Sequence, residues 1–198
     1  QPLVSTLPPP VGSNHKGLSM QRTSLIRWFG YSLLTLAMAG PVRAADRPDD
    51  LVVFLVRHAE KVDTSRDPQL SAAGKRRAAE LANALRDAKL KHVHSSDYIR
   101  TRDTAAPIAA RLGLKVQLYD SRDLPTLIKQ LRKTGGRHLV VGHSSTTPNA
   151  VEMLGGEPGT PIHEPTEYDR LYIVKIDKSG ASTVLMRYGT PPKEQPEE

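Results

Sequence analysis

The sequence contains no cysteine, which excludes a disulfide framework and any thiolate metal site. It also lacks an apolar run long enough for a comfortable membrane span, since the stretch at 28–40, WFGYSLLTLAMAG, stops short of the required length. No internal repeat is visible. Acidic residues are missing altogether from 1–44, which holds Lys16, Arg22, Arg27 and Arg43. Those four cations make up more than half of the formal net charge of +7, so the rest of the chain is close to balance. That distribution argues against a nucleic-acid partner and, through its slight basic bias, suits an anionic substrate. At 198 residues and 38% hydrophobic, one domain with a proper core is expected.

What is present divides the chain unevenly. Residues 1–19 are rich in Pro, Ser and Gly without periodicity, and are expected to be a disordered upstream segment. Met20 opens a different texture. Two arginines, the apolar stretch at 28–40 and the small residues Val42 and Ala44 follow in the n-, h- and c-region order of a secretory signal peptide at 20–44. The expected mature protein begins near Ala45 and is exported, either periplasmic or secreted; an uncleaved membrane anchor is the alternative. The folded domain is expected over 45–190, and the Pro- and Glu-rich end, 191–198, as a disordered tail.

Within the domain, 51–56 is a continuous apolar run, LVVFLV, that reads as a strand buried on both faces. A helix is expected from 71 to about 89, with Ser71 as its N-cap. A short strand follows at 92–95, and then a helix at 101–112 that ends at Gly113 and is kinked or shortened at its start by Pro107. Further elements are a strand at 115–119, a helix at 124–133, a strand at 138–142, a helix at 148–154 and a terminal hairpin of 171–176 with 182–187. Strands alternating with helices at this spacing imply βαβ units and a mostly parallel sheet.

The chemistry-bearing residues sit where these strands end. The first strand breaks into Arg57, His58, Ala59, Glu60 and Lys61, at the position where open α/β sheets place their ligands. A neutral imidazole can act as a nucleophile near pH 7, and an adjacent guanidinium can neutralise phosphate oxygens. An isolated Arg-His pair is usually a buried histidine beside a surface arginine, but here other segments supply partners. The segment 95–105, SSDYIRTRDTA, follows the second strand and places Arg100 at a helix start, where free amides favour an anion. In VVGHSSTTP, 140–148, a strand again runs into a histidine, His143, and Gly142 allows close backbone approach.

These pieces, with LSAAGKRRA at 70–78, resemble the histidine phosphatase superfamily, whose fold is phosphoglycerate-mutase-like. The resemblance covers most of 51–174. It implies a three-layer α/β/α sandwich with a mostly parallel central sheet. It also implies a phosphohistidine at His58, a phosphate pocket of Arg57, Arg100 and His143, and no cofactor. Ser95, Ser96 and Thr104 fit the family pattern around Arg100, whereas Arg102 has no counterpart and reads as a solvated or salt-bridged helix residue. Ala59 stands where the commoner family form has Gly, a tolerable change if the local φ is negative. Ser145 stands where many relatives carry Asn, and Arg77 where they carry Gln. Ser144 and Lys61 join the expected substrate-binding residues.

A phosphate ester needs a proton for its leaving oxygen unless the leaving group is already good. The large mutase members place a Glu after the third strand, but this chain has Asp120 and Asp123 there. Asp123 is the favoured acid, with Glu60 and Asp63 as other options and capping of the next helix as the competing role for both aspartates. Two further patterns compete. GHSST resembles a serine-hydrolase elbow around Ser144 with His163 and Asp169 as partners, although Thr146 occupies the last Gly position of that motif. His92-x-His94 resembles half of a metal site without a third ligand, and His15 and His138 carry no signal.

The expected function is hydrolysis of a phosphorylated small molecule or phosphoprotein, without metal, nucleic acid or a membrane partner after signal cleavage. The alternatives are an envelope protein that binds phosphorylated ligands without turnover, and a serine hydrolase. Cleavage is expected after Ala44. Mass spectrometry of the protein from its native host checks this, and a mature N-terminus upstream of residue 40 contradicts it.

Overall fold

The computed structural model describes residues 50–191. The signal peptide expected at 20–44, the segment 1–19 and the tail beyond Pro191 lie outside the described residues. Ten elements alternate along the chain: β1 Leu51–Arg57, α1 Ala72–Ala84, β2 His92–Ser96, α2 Ile99–Leu112, β3 Val116–Tyr119, α3 Leu124–Thr134, β4 Gly136–Gly142, α4 Thr146–Met153, β5 Arg170–Asp177 and β6 Gly180–Arg187. They form one six-stranded sheet in the order β3-β2-β4-β1-β5-β6. β1 pairs in parallel with β4, as β2 does with both β4 and β3, while β5 and β6 join antiparallel at the far edge.

The apolar run at 51–56 explains why β1 is central. Every residue of the strand is buried, because both of its faces are covered. Val52, Phe54 and Val56 pack on one face with Leu81 of α1 and Ile108 of α2. Leu51, Val53 and Leu55 pack on the other with Leu127 and Leu131 of α3 and Val151 of α4. Two helices therefore lie on each side of the sheet, and the result is the three-layer α/β/α sandwich expected from the sequence. Among the described residues no helix is long and apolar enough to cross a membrane.

Local chemistry sets the element ends. Ser71 caps α1 as expected, its hydroxyl accepting from Gly74 N at 3.1 Å. That helix stops at Ala84, five residues before the expected end. The chain then turns through Leu85–Leu90 by way of Lys89, which has a positive φ of 53°. α2 starts at Ile99, earlier than expected, and runs through Pro107 to Leu112, so the proline does not shorten its start. Gly113 ends it in the left-handed conformation, φ 65°. Asp123 caps α3 by accepting from Thr126 N at 3.2 Å.

Gly74 is required by close packing rather than by a turn. A Cβ at this position would lie 2.2 Å from the carbonyl oxygen of Glu60, so α1 approaches the backbone beyond β1 as nearly as glycine allows. This contact brings Arg77, one turn further on, onto Glu60. Gly74→Ala is expected to destabilise the fold by about 1–3 kcal/mol through overpacking. Urea unfolding checks it, and an unchanged midpoint contradicts the close approach.

Candidate active site

Four side chains expected to act together are brought to the carboxyl ends of β1, β2 and β4. The parallel register sets Arg57 opposite Gly142, and His58 N donates to Gly142 O at 2.9 Å, so His58 and His143 emerge side by side. Their rings are 5.5 Å apart, edge to face. Gly142 must be glycine for this, because a Cβ there would meet the hydroxyls of Thr146, Thr147 and Tyr119 at 2.9–3.1 Å. Thr104 links the third segment, accepting from Ala59 N at 3.0 Å and donating to Arg100 O at 2.7 Å. Ala59 is not among the described residues with positive φ, so Ala serves where the commoner family form has Gly.

His58 is buried, 3% exposed, and its Nδ1 donates to Ala59 O at 2.8 Å. That bond places the ring proton on Nδ1 and leaves the Nε2 lone pair without a protein partner among the described residues. Burial pushes its pKa down to about 3, with Arg57, His143 and Arg100 adding to the effect, so the ring is neutral near pH 7. His143 is likewise pushed down to about 4 by burial and by Arg100 and Arg57. Its Nε2–H donates to Ser96 Oγ at 2.9 Å; that hydroxyl donates to Thr101 Oγ1 at 3.1 Å, and Thr101 in turn donates to Ser96 O at 2.8 Å. The chain of hydroxyls holds the ring with Nδ1 towards Arg100 Nη2, 3.5 Å away.

Arg57 is the larger surprise. It is 1% exposed, lies with its guanidinium carbon 4.0 Å above the Tyr168 ring, and donates through Nη1 to the carbonyls of Glu164 and Glu167 at 2.7 and 3.1 Å. Burial pushes its pKa below the ordinary value, yet an arginine remains charged. Its Nε and Nη2, and Nε of Arg100, are buried with no hydrogen-bond partner among the described residues. The Glu164 carboxylate, 3.9 Å from Nη2, is 65% exposed and compensates weakly. Buried, unpaired guanidinium donors beside two neutral imidazoles form a pocket suited to an anion.

Several roles differ from expectation. The α2 amino end does not offer free amides at its first residue, because Asp67 Oδ1 already accepts from Ile99 N at 2.8 Å and lies 3.5 Å from Arg100 Nη1. Asp123, the favoured acid, is exposed and occupied as the α3 cap; it does not line the cavity beside Arg100. That cavity, of about 670 Å³, is bounded by Asp67, Tyr98, Leu118 and Asp120 among others. Asp120 is bonded to Arg122, which holds its carboxyl below the usual range. Glu60 is bonded to Arg77 at 2.9 and 2.7 Å, and exposed Asp63 is tied to Ser65 N. Lys61 forms a backbone bridge to Leu70, and its charge bears on His143. Arg102 pairs with Asp97, as expected of a salt-bridged helix residue.

Ser144 lies on another cavity, about 350 Å³, with Pro148 and Ile162. His163 is bonded instead to Thr166 and Asp169 to Arg187, so the serine-hydrolase partners are not assembled. Tyr98, Tyr168 and Asp67 belong to the site and escaped sequence reasoning. Tyr98, the N-cap of α2, stacks on Arg100 two residues further on, whereas Tyr168 stacks on Arg57 from a segment more than a hundred residues away that no local pattern marks. Among the described residues no group of three His, Cys, Asp or Glu side chains is placed to hold a metal ion.

Comparison with known proteins bears on the fold and on part of the sequence. Residues 53–122 match the profile of the Histidine phosphatase superfamily (branch 1). A probable phosphoglycerate mutase GpmB from Yersinia enterocolitica is 44% identical over 73 residues, covering 33% of this chain and 34% of that protein. The chain thus spans about a third of the length of the curated relatives it matches. The protein histidine phosphatase SixA, solved with tungstate, superposes with a TM-score of 0.55 at 21% identity, covering 71% of this chain and 97% of that one. A putative phosphohistidine phosphatase SixA from Agrobacterium tumefaciens gives 0.55 at 20% identity, over 71% and 99%. At these identities the solved structures establish the fold.

The unpaired donors predict tight oxyanion binding. Arg100→Ala should weaken binding of inorganic phosphate and of orthovanadate by about 2–3 kcal/mol, measured by calorimetric titration. Unchanged affinity would remove Arg100 from the pocket.

Proposed function

We propose that this chain, whose residues 53–122 match the histidine phosphatase superfamily, hydrolyses phosphoryl groups through a phosphohistidine at His58. The observation that carries the reading is the His58 ring, fixed through Nδ1–H to Ala59 O with Nε2 unpartnered beside two arginines that have donors to spare. In the first step Nε2 attacks phosphorus, a P–N bond forms, and the bond to the leaving group breaks with its electron pair. Arg57 and Arg100 neutralise the equatorial oxygens. Water then attacks the phosphohistidine and frees His58 and phosphate.

The substrate class follows from the missing acid. Asp67, Asp120 and Asp123 each accept a hydrogen bond from an arginine or a backbone amide, and Glu60 is engaged by Arg77 through Oε1 while its Oε2 has no partner, so no carboxylate is set up as a dedicated acid. This supports substrates whose leaving group needs little help: an aryl phosphate, or a phosphoramidate such as a phosphohistidine side chain. SixA relatives carry that substrate in their names. Export remains part of the proposal and rests on the 20–44 pattern.

Rapid-quench labelling tests the intermediate, which should be acid-labile, base-stable and absent in His58→Ala. An alkyl phosphate should turn over about 10²–10⁴-fold more slowly than an aryl phosphate, and Asp123→Asn should change neither rate. Phosphate binding without turnover of any ester or phosphoramidate would favour the non-catalytic ligand binder. Full activity in His58→Ala with loss in Ser144→Ala would favour the serine hydrolase.

A further inference from the structure

At the opposite end of β2 and β4 from the site, three histidines stack together. His92 and His94 alternate along β2 and share one face, and His138 of β4 is the register partner of His92. That face is the one where Val140 meets α3 and α4. The His92 and His138 rings are 4.6 Å apart and 17° from parallel, and those of His94 and His138 are 5.2 Å apart and 22° from parallel. His94 and His138 are 2% and 1% exposed.

Their hydrogen bonds run in one direction. His138 Nε2 lies 2.7 Å from Gly135 O and must donate to it. Its Nδ1 is therefore an acceptor, and it takes the Nε2–H of His94 at 3.0 Å. His92 Nδ1 accepts from Gln117 Nε2 at 3.2 Å. A proton added to His138 Nδ1 would set two N–H groups against each other. No counter-charge is at hand. β3 presents neutral Gln117, the α3 terminus presents the Gly135 carbonyl, and β1 presents Val53 as the register partner of His138. Arg132 of α3 is turned to the carbonyls of Met153 and Leu154, and Arg137 to that of Ala88.

The same two strands carry Ser96 and lead into His143 at their other ends, where the 2.9 Å Ser96–His143 bond bridges them. We propose that the histidine stack makes the β2–β4 seam an acid-labile joint, which opens in mildly acidic solution and disassembles the phosphate pocket by loosening the strands that hold His143. The proposal is independent of the catalytic reading, since it concerns the fold.

The direction of the pH effect follows from linkage. Burial pushes His94 down to about 3, with its two histidine neighbours adding to the shift, and burial also lowers His138. The unfolded chain takes up these protons from about pH 6.5 downwards, and the native state resists them. Stability is therefore complete above that pH and falls as pH falls from about 6.5 towards 3. His58 and His143 add to the same slope, so the stack is isolated by comparing variants with the parent.

The test is urea unfolding of the whole chain between pH 7.5 and 4, for the parent and for His94→Gln, His138→Gln and the double variant. The pH at which half of the neutral-pH stability is gone should move down by about one unit in the double variant. An identical pH dependence in all four proteins would overturn the proposal. Should the variants not fold, backbone-assigned histidine signals of the parent decide by NMR. Those of His94 and His138 should stay fixed down to pH 5, and a midpoint near 6.5 for either would sink the idea. Hydrogen exchange at pH 5 should show β2 and β4 losing protection ahead of β5, whereas uniform loss would refute the seam.

Discussion

The parallel pairing of β1 with β4 is the constraint on which the site depends. It sets Arg57 opposite Gly142 and lets His58 N bond to the Gly142 carbonyl, so that two histidines far apart in sequence leave the sheet as neighbours. A slip of one residue would turn every side chain of β1 to the other face and take Arg57 out of line with Gly142. Val52, Phe54 and Val56 are buried on one side of the strand and Leu51, Val53 and Leu55 on the other. The packing that stabilises the sandwich also positions the chemistry.

The pocket itself is costly to maintain. It holds a nearly inaccessible arginine whose orientation is set by two backbone carbonyls and a tyrosine ring, and it leaves three guanidinium nitrogens without partners. Desolvated donors of this kind cost stability until an anion completes them. The imidazoles respond to the same field by staying neutral, since burial and the neighbouring guanidinium charges both oppose protonation. A neutral nucleophile and a cationic cradle are thus two results of one arrangement. The carboxylates around it are drawn to the surplus positive charge and become salt-bridge partners, Asp67 towards Arg100 and Glu60 towards Arg77.

The chain shows where local reasoning succeeds and where it stops. Ser71 as a cap, Gly113 as a stop and the close approach at Gly142 were all readable, because each depends on backbone geometry within a few residues. The choice between acid and cap for Asp123 was open in the sequence, since an aspartate before a helix suits both; its place on an exposed turn away from Arg100 decided for the cap. The early end of α1 depended on the Leu85–Leu90 turn, where a lysine in positive φ replaces the glycine that would have announced a stop. The histidine stack was half visible as His92-x-His94. Its third member, His138, lies 44 residues beyond His94 and joins only through strand pairing.

By itself the sequence determined the strand and helix order and the doubly buried centre of the sheet. Those follow from hydrophobic period and from polar side chains that interrupt it at strand ends, properties carried by neighbours along the chain. Only the tertiary structure decided which loop closes over Arg57, which carboxylates are bound to cations, and that three ordinary histidines form one buried stack. Such outcomes depend on contacts between residues tens of positions apart, where the energy lies in burial and pairing rather than in any local pattern.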